Sequence, residues 1–247
     1  MSTPSDIDAG KGRTFPERVD IRGAKVYPFR SADELIDFAD LNKGILVAVN
    51  AHKLLDANEV TLPIINNNIA YCDGAGAVAA AKIKGAHDTV KLAGCELWLK
   101  IIERFHQSKT FYIIGAKPAV HDATVERLRR DFPGIRILGH RDGYIKSPGE
   151  RQALIDDVAD KKPDIVFVAM GSPTQEILMS EMLERHRAIY QGLGGSFDVY
   201  TGNVPRAPKW MADNKLEFAY RLFKQPRRIK HDIDYIRFVW WYITKNF

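Results

Sequence analysis

The chain has 247 residues, of which 45% are hydrophobic and 27% are charged, a balance typical of a globular protein with a sizeable core. It has no uninterrupted run of apolar residues long enough to predict a membrane-spanning helix, and its polar beginning does not resemble a secretory signal. Two cysteines, Cys72 and Cys95, are then expected to be reduced thiols in the cytosol. The net charge of +5 is concentrated after residue 220, where seven basic residues outnumber Asp232 and Asp234.

Short apolar runs alternate along the chain with amphipathic stretches. In chain order, the predicted elements are helix 31–41, strand 44–49, helix 94–107, strand 110–114, helix 119–132, strand 136–139, helix 149–159, strand 164–170 and helix 174–186. Strands that alternate with helices of this length indicate parallel β-α-β units. The predicted fold class is therefore α/β, with a Rossmann-like parallel-sheet core and helices on both faces.

The chain is predicted to have three parts: a flexible arm at 1–18, a Rossmann-like domain at 19–217 and a helical appendage at 218–247. Apolar residues in the appendage recur with a 4-3-4-3-4 spacing, at Ile229, Ile233, Ile236, Trp240, Ile243 and Phe247. Basic residues at its start and aromatic residues near its end suit a helix lying on an anionic membrane surface. The alternative is a helix that packs on the domain or on another subunit.

Four polar segments follow predicted strands. Asn50 follows strand 44–49, and GAKP, HRDGY and GSPTQE follow the other three. In open α/β sheets, ligands bind beyond the carboxyl ends of the strands, and helix N-termini there favour phosphates. Although each segment alone could be a simple turn, four at one sheet edge predict a nucleotide or nucleotide-sugar site.

Several longer segments carry a family resemblance. GILVAVNAHKLL, YCDGAGAV, AMGSPTQE, GGSFDVYTGNVPRAP and LEFAYRLFKQPRRIK occur in order over roughly residues 20 to 240. Together they resemble the WecG/TagA/CpsF glycosyltransferases, which build bacterial surface polysaccharides on a lipid carrier. The resemblance implies an inverting transfer of a hexosamine-type sugar from UDP to an undecaprenyl-diphosphate-linked saccharide. It also implies a peripheral location at the inner face of the cytoplasmic membrane, and self-association.

The resemblance implies roles for three catalytic residues. Asp73 matches the family's aspartate-glycine motif and is expected to be the base that deprotonates the acceptor hydroxyl. Its alternative role is structural, as a turn former before Gly74 or an N-cap for the stretch 75–81. Arg221 and Arg228 match appendage arginines that would neutralise the UDP diphosphate.

The resemblance also implies a set of substrate-binding residues, in which Ala48 replaces a family threonine and His231 replaces a family arginine. Lys91 stands where arginine is usual, which keeps the charge but loses the bidentate geometry. The substrate-binding residues expected from this match are Asn50, Lys91, Tyr144, Gly171, Gln175, Gly194, Asp198, Arg206 and His231.

No cofactor or metal is expected. The two D-x-D strings, at 6–8 and 232–234, lie in the predicted arm and the basic helix, away from predicted strand ends. The segment 74–79 mimics a dinucleotide fingerprint but lacks the acidic partner beyond a second strand. The domain has no extended basic track, so nucleic-acid binding is not expected. Two alternatives stay open: another UDP-sugar donor (N-acetylmannosamine, glucose or a uronate), or a UDP-binding subunit without catalysis.

Overall fold

The computed structural model describes residues 14–204. Its strands are β1 (Val19–Ile21), β2 (Ala24–Val26), β3 (Gly44–Val49), β4 (Ile69–Cys72), β5 (Thr110–Gly115), β6 (Arg136–Arg141), β7 (Ile165–Ala169) and β8 (Ile189–Gly192). Its helices are α1 (Ala32–Asn42), α2 (Ala51–Leu55), α3 (Thr61–Asn67), α4 (Ala75–Ile83), α5 (Gly94–Phe105), α6 (Pro118–Asp131), α7 (Pro148–Lys161), α8 (Thr174–Arg185) and α9 (Ser196–Tyr200). The α/β prediction is confirmed.

Six parallel strands form the central sheet, in the order β4-β3-β8-β7-β5-β6, while β1 and β2 pair as a separate antiparallel ribbon. Helices α2, α3, α4, α7 and α8 cover one face, and α1, α5, α6 and α9 cover the other. The central strand β7 is buried along its whole length, whereas β6 at the edge alternates between exposed and half-buried residues. Because the six strands are parallel, all their carboxyl ends lie at one edge of the sheet, called the carboxyl edge below.

The four predicted strands and five predicted helices are all present, with ends shifted by up to two residues. Strands β4 and β8 were not predicted, because each has four residues and includes a polar side chain, in IAYC and IYQG respectively. Both strands are nevertheless almost completely buried. Their omission from the prediction matters, since the sequence after each one contributes to the candidate site.

Gly115 allows the chain to turn tightly at the end of β5. Its φ of +118° favours glycine, and a Cβ there would lie 2.3 Å from the carbonyl oxygen of Ala169 on the adjacent β7. The next residue, Ala116, donates its N–H to that same oxygen over 2.8 Å. The loops after β5 and β7 are therefore closely packed at their starts.

The end of the predicted arm contacts the domain. The rings of Phe15 and Phe38 meet edge to face with centroids 5.0 Å apart, and the Arg18 guanidinium lies over Tyr27. The predicted appendage at 218–247 lies outside the described residues. In the part of the chain that is described, no helix has the length and apolarity needed to cross a membrane.

The buried His121 pairs with the exposed His140 near the carboxyl ends of β5 and β6. His121 Nδ1 donates to the Gly115 carbonyl over 3.1 Å, so its Nε2 accepts from His140 Nδ1 over 3.0 Å. Burial first, and the neighbouring His140 second, lower the pKa of His121 from its ordinary value of 6.5, although Asp122 and Asp142 act in the opposite direction. The folded protein therefore favours the neutral form of His121 more than the unfolded chain does.

This pair predicts a pH-dependent stability. The unfolded chain protonates His121 as the pH falls through the ordinary pKa, while the folded protein resists protonation, so stability should fall toward lower pH and rise toward higher pH. In His121→Gln, which stays neutral at every pH, this component should disappear. Denaturant unfolding of both proteins between roughly pH 5 and pH 7.5 would test this, and parallel stability curves would contradict it.

Candidate functional site

The carboxyl edge of the sheet brings several predicted site residues together. Asn50 follows β3, Asp73 follows β4, and the loops after β7 and β8 contain Gly171 and Gly194. These four strands are neighbours in the sheet. The residues therefore border one continuous stretch of the edge, where ligands bind in open α/β sheets.

Asp73 is anchored on both sides. Its backbone N–H donates to the Val49 carbonyl over 2.9 Å, and its side-chain Oδ1 accepts from the backbone N–H of Gly94 over 2.7 Å. Gly94 is the first residue of α5, whereas the N-cap of α4 is Gly74. The capping alternative for Asp73 in α4 is therefore not supported. Its half-buried carboxylate is instead held against the start of α5.

Two buried polar side chains, Tyr71 on β4 and Gln191 on β8, lie next to the Gly94 peptide that holds Asp73. Gln191 on β8 donates its Nε2 to the Gly94 carbonyl over 3.2 Å, so the Gly94 peptide is held through both its N–H and its carbonyl. A Cβ on Gly94 would lie 3.0 Å from Tyr71 Oη and 3.7 Å from Asp73 Oδ1. Tyr71 Oη and Gln191 Oε1 are buried and have no hydrogen-bond partner in the described part of the chain.

The negative charge of Asp73 affects its buried neighbours. The pKa of Tyr71 is raised well above its ordinary value, by burial first and by Asp73 second, while Gln191 acts in the opposite direction. Burial and Asp73 likewise raise the pKa of Cys72 to about 12. Both groups therefore stay neutral at physiological pH. Sequence reasoning missed Tyr71 and Gln191, whose only signal is a polar residue within a short apolar run.

Gln175 joins the loops after β7 and β8. Its Oε1 accepts from the backbone N–H of Gly171 over 3.1 Å and from that of Gly194 over 2.9 Å. Both glycines have positive φ, +81° and +53°, and a Cβ on either would meet nothing within 4 Å. A side chain added at either position would therefore point into open space. The buried carboxamide uses its oxygen to hold these loops.

Asn50 occupies the corresponding position after β3. Its Oδ1 accepts from the backbone N–H of Lys53 over 2.9 Å and so caps α2. A Cβ on Gly74 would lie 3.3 Å from the Asn50 Cβ, which places Asn50 directly beside the residue after Asp73. The absence of a side chain at Gly74 lets the ends of β3 and β4 approach closely.

The other predicted residues are placed less centrally. Lys91 is exposed. The next residue, Leu92, donates its N–H to the Cys72 carbonyl over 2.9 Å, so Lys91 lies near the end of β4. Asp198 is half-buried in α9. Tyr144 is 51% exposed in the loop after β6, the strand at the opposite edge of the sheet from β4, and this loop turns back toward β5, because the Gly143 N–H donates to the Ala116 carbonyl over 2.8 Å.

Four predicted residues lie outside the described residues: Arg206, Arg221, Arg228 and His231. Within 14–204, no three histidine, cysteine or acidic side chains form a group that could hold a metal ion.

Comparison with known families gives a match along nearly the whole chain. The model of the glycosyl transferase WecG/TagA/CpsF family matches residues 20–247. This range includes the carboxyl-edge residues and all of the predicted appendage.

The geometry around Gln175 predicts the effect of adding one methyl group. A Cβ on Gly192 would lie 2.4 Å from Gln175 Nε2 and 3.1 Å from Met179 Cε. Gly192→Ala should displace the carboxamide and leave the Gly171 and Gly194 N–H groups without their acceptor. We expect a loss of about 1–3 kcal/mol in the free energy of unfolding, measured by denaturant titration.

Two controls make this prediction specific. Gly149→Ala adds the same methyl group to α7, where the nearest atom is 3.9 Å away, and should be neutral or stabilising by up to about 1 kcal/mol. In a Gln175→Ala background, Gly192→Ala should cost much less than in the wild type. An equal cost in both backgrounds would show that the contact with Gln175 is not the cause.

Proposed function

The chain belongs to the glycosyl transferase WecG/TagA/CpsF family, whose members act in cell-surface polysaccharide synthesis. From this premise we propose that it transfers a hexosamine-type sugar from UDP to a polyprenyl-diphosphate-linked saccharide, with inversion at the anomeric carbon. The observation that carries the proposal is the anchored Asp73. Its carboxylate lies at the carboxyl edge, is partly exposed, and is held in one orientation by the Gly94 N–H over 2.7 Å. A base fixed in this way suits proton removal at a single position.

The proposed reaction is a direct displacement. The acceptor hydroxyl oxygen attacks the anomeric carbon and its proton passes to Asp73. The bond between the anomeric carbon and the diphosphate oxygen breaks as the new glycosidic bond forms, and UDP leaves with the electron pair. Charge develops on the diphosphate, so cationic side chains and N–H donors there lower the barrier.

The donor is proposed to lie along the edge between β4 and β7. The open space beside the Gly171 and Gly194 peptides suits close approach of a phosphate, and α8 begins next to Gly171 with its N–H groups directed toward the edge. Asn50, Lys91 and Asp198 are proposed to contact the sugar and nucleoside. Arg206, Arg221, Arg228 and His231 are proposed to complete the pocket, and Tyr144 is proposed to pack beside the nucleoside.

We propose N-acetylmannosaminuronate as the sugar and undecaprenyl-diphosphate-linked GlcNAc as the acceptor. The segments that carry the family resemblance, such as YCDGAGAV and GGSFDVYTGNVPRAP, are also similar to those of the UDP-N-acetylmannosaminuronate transferase of enterobacterial common antigen synthesis. A uronate carboxylate would pair with basic residues, for which Lys91 and Arg206 are the candidates. The transfer is proposed to need no metal and to occur at the inner face of the cytoplasmic membrane, with the chain bound peripherally.

Asp73→Asn tests the base. The asparagine oxygen can still accept from Gly94, so the fold should persist while proton removal is lost. We expect acceptor-dependent UDP release to fall by about 10²–10⁴-fold, with UDP affinity nearly unchanged. Release would be measured for a panel of UDP-sugars with polyprenyl-diphosphate-GlcNAc.

The matched control is Asp160→Asn, which makes the same change at an exposed position near the end of α7, on the side of the sheet where β7 begins, and should leave the rate unchanged. Full activity in Asp73→Asn would retain the transferase and reject this base. Absence of release from every donor in the wild type would reject the transferase itself.

Deleting residues 218–247 tests the role proposed for the basic appendage. The remaining chain contains the complete sheet, so it should keep its far-UV circular dichroism, but it lacks Arg221, Arg228 and His231. Transfer activity and binding to anionic vesicles should both fall strongly. Full activity in the truncated protein would contradict the catalytic role of these residues.

A further inference from the structure

A buried ion pair links two of the loops that border the proposed donor site. Lys53 Nζ lies 2.5 Å from Glu176 Oε1, and the two side chains are 16% and 6% exposed. Lys53 is in α2 after β3, and Glu176 is in the first turn of α8 after β7. These two strands are separated by β8. The pair therefore connects loops that no direct strand pairing joins.

The pair continues on both sides into the candidate site. On one side, the Lys53 N–H is bonded to Asn50 Oδ1 over 2.9 Å. On the other, Gln175 Nε2 donates to Glu176 Oε1 over 3.4 Å, and Gln175 Oε1 accepts from the Gly171 and Gly194 N–H groups. A continuous path of hydrogen bonds and one ion pair thus runs across the ends of β3, β7 and β8.

The environment of the pair argues for a positioning role rather than a stabilising one. Glu176 Oε2 is buried and lacks a hydrogen-bond partner among residues 14–204, and Val47, Ile64 and Ile65 line a small cavity beside the pair. Charges in such surroundings lose hydration, which offsets most of their attraction, and a well-packed apolar pair is often as stable. The ion pair does, however, fix the position of α2 relative to α8.

We propose that Lys53 and Glu176 are positioning residues for the donor, which hold the loops after β3, β7 and β8 in the arrangement that binds UDP. The inference rests on the proposed function, because it takes the same edge as the nucleotide site. Glu176 acts through Gln175, whose carboxamide orientation it fixes, and Lys53 acts through the start of α2. Neither residue is proposed to touch the reacting atoms.

The test replaces the ion pair by two apolar side chains of similar length. Lys53→Met/Glu176→Met removes both charges together, so no unpaired charge is left buried and the protein should fold with nearly unchanged thermal stability. We expect the Kd for UDP, measured by titration calorimetry, to rise by about 10-fold or more, and the KM for the donor to rise with it. The kcat should change much less, because Asp73 and its Gly94 anchor are intact.

The control removes a second, more exposed ion pair on the same helix. Arg151 Nε lies 2.7 Å from Glu181 Oε2 between α7 and α8, more than one turn beyond Glu176. Arg151→Met/Glu181→Met should leave the Kd for UDP within about twofold of the wild type. An equal loss of affinity in both double variants would show a general effect on α8 and overturn the positioning role.

The remaining outcomes separate the two proposals. If the wild type binds UDP and Lys53→Met/Glu176→Met binds it with the same Kd, this inference is overturned and the proposed function stands. A wild type that does not bind UDP would overturn the proposed function, and this inference with it. A fall in kcat with no change in the donor KM would also overturn it, because donor positioning acts on binding.

Discussion

A parallel sheet with helices on both faces offers polar chemistry only at the ends of its strands. Strand β7 is buried along its whole length, and the residues that can meet a ligand follow it in the loop. Backbone hydrogen bonds join the loops after β5 and β6, whereas the loops after β7 and β8 are joined through a side chain that reaches across the edge. In this protein Gln175 has that role, because a single carboxamide oxygen accepts from the peptides of two different loops.

The proposed base and the loops of the proposed donor site are held by separate groups. Asp73 depends on Gly94, which is held in turn by Gln191 from within the sheet. The loops after β7 and β8 depend on Gln175 and its neighbour Glu176. On the proposed function, a change in the loops after β7 and β8 can alter donor binding without displacing Asp73, and a change at Gly94 or Gln191 can displace Asp73 without altering those loops.

The sequence predicts the longer elements well, because strand 44–49 and helices such as α6 and α8 have clear apolar patterns. Strands β4 and β8 are missed because a run of four residues containing Tyr71 or Gln191 lacks such a pattern. For this reason periodicity finds Asn50 and Gln175 at strand ends, whereas Asp73 is found only through the family resemblance.

Other features of the site depend on folding and have no local signal. Lys53 and Glu176 are 123 positions apart in the chain and meet only because β3 and β7 belong to one sheet. Gln175 is predicted from its motif as a nucleotide contact, but the sequence does not reveal that its amide oxygen already accepts two backbone hydrogen bonds. A residue type at a strand end indicates that a side chain is near a ligand, and the geometry decides whether it binds the ligand or holds the loop.

The charge distribution gives a reason for the appendage to take part in catalysis. Among the predicted site residues within 14–204, Lys91 is the only cationic one, and the nearby Lys53 is already paired with Glu176. A UDP leaving group carries several negative charges that the N–H groups at a helix terminus balance only in part. The proposed reaction therefore requires cations from elsewhere in the chain, and the segment after residue 220 holds an excess of them equal to the whole net charge of +5. Arg221 and Arg228, with guanidinium groups suited to diphosphate oxygens, are the residues in that segment best able to supply this charge.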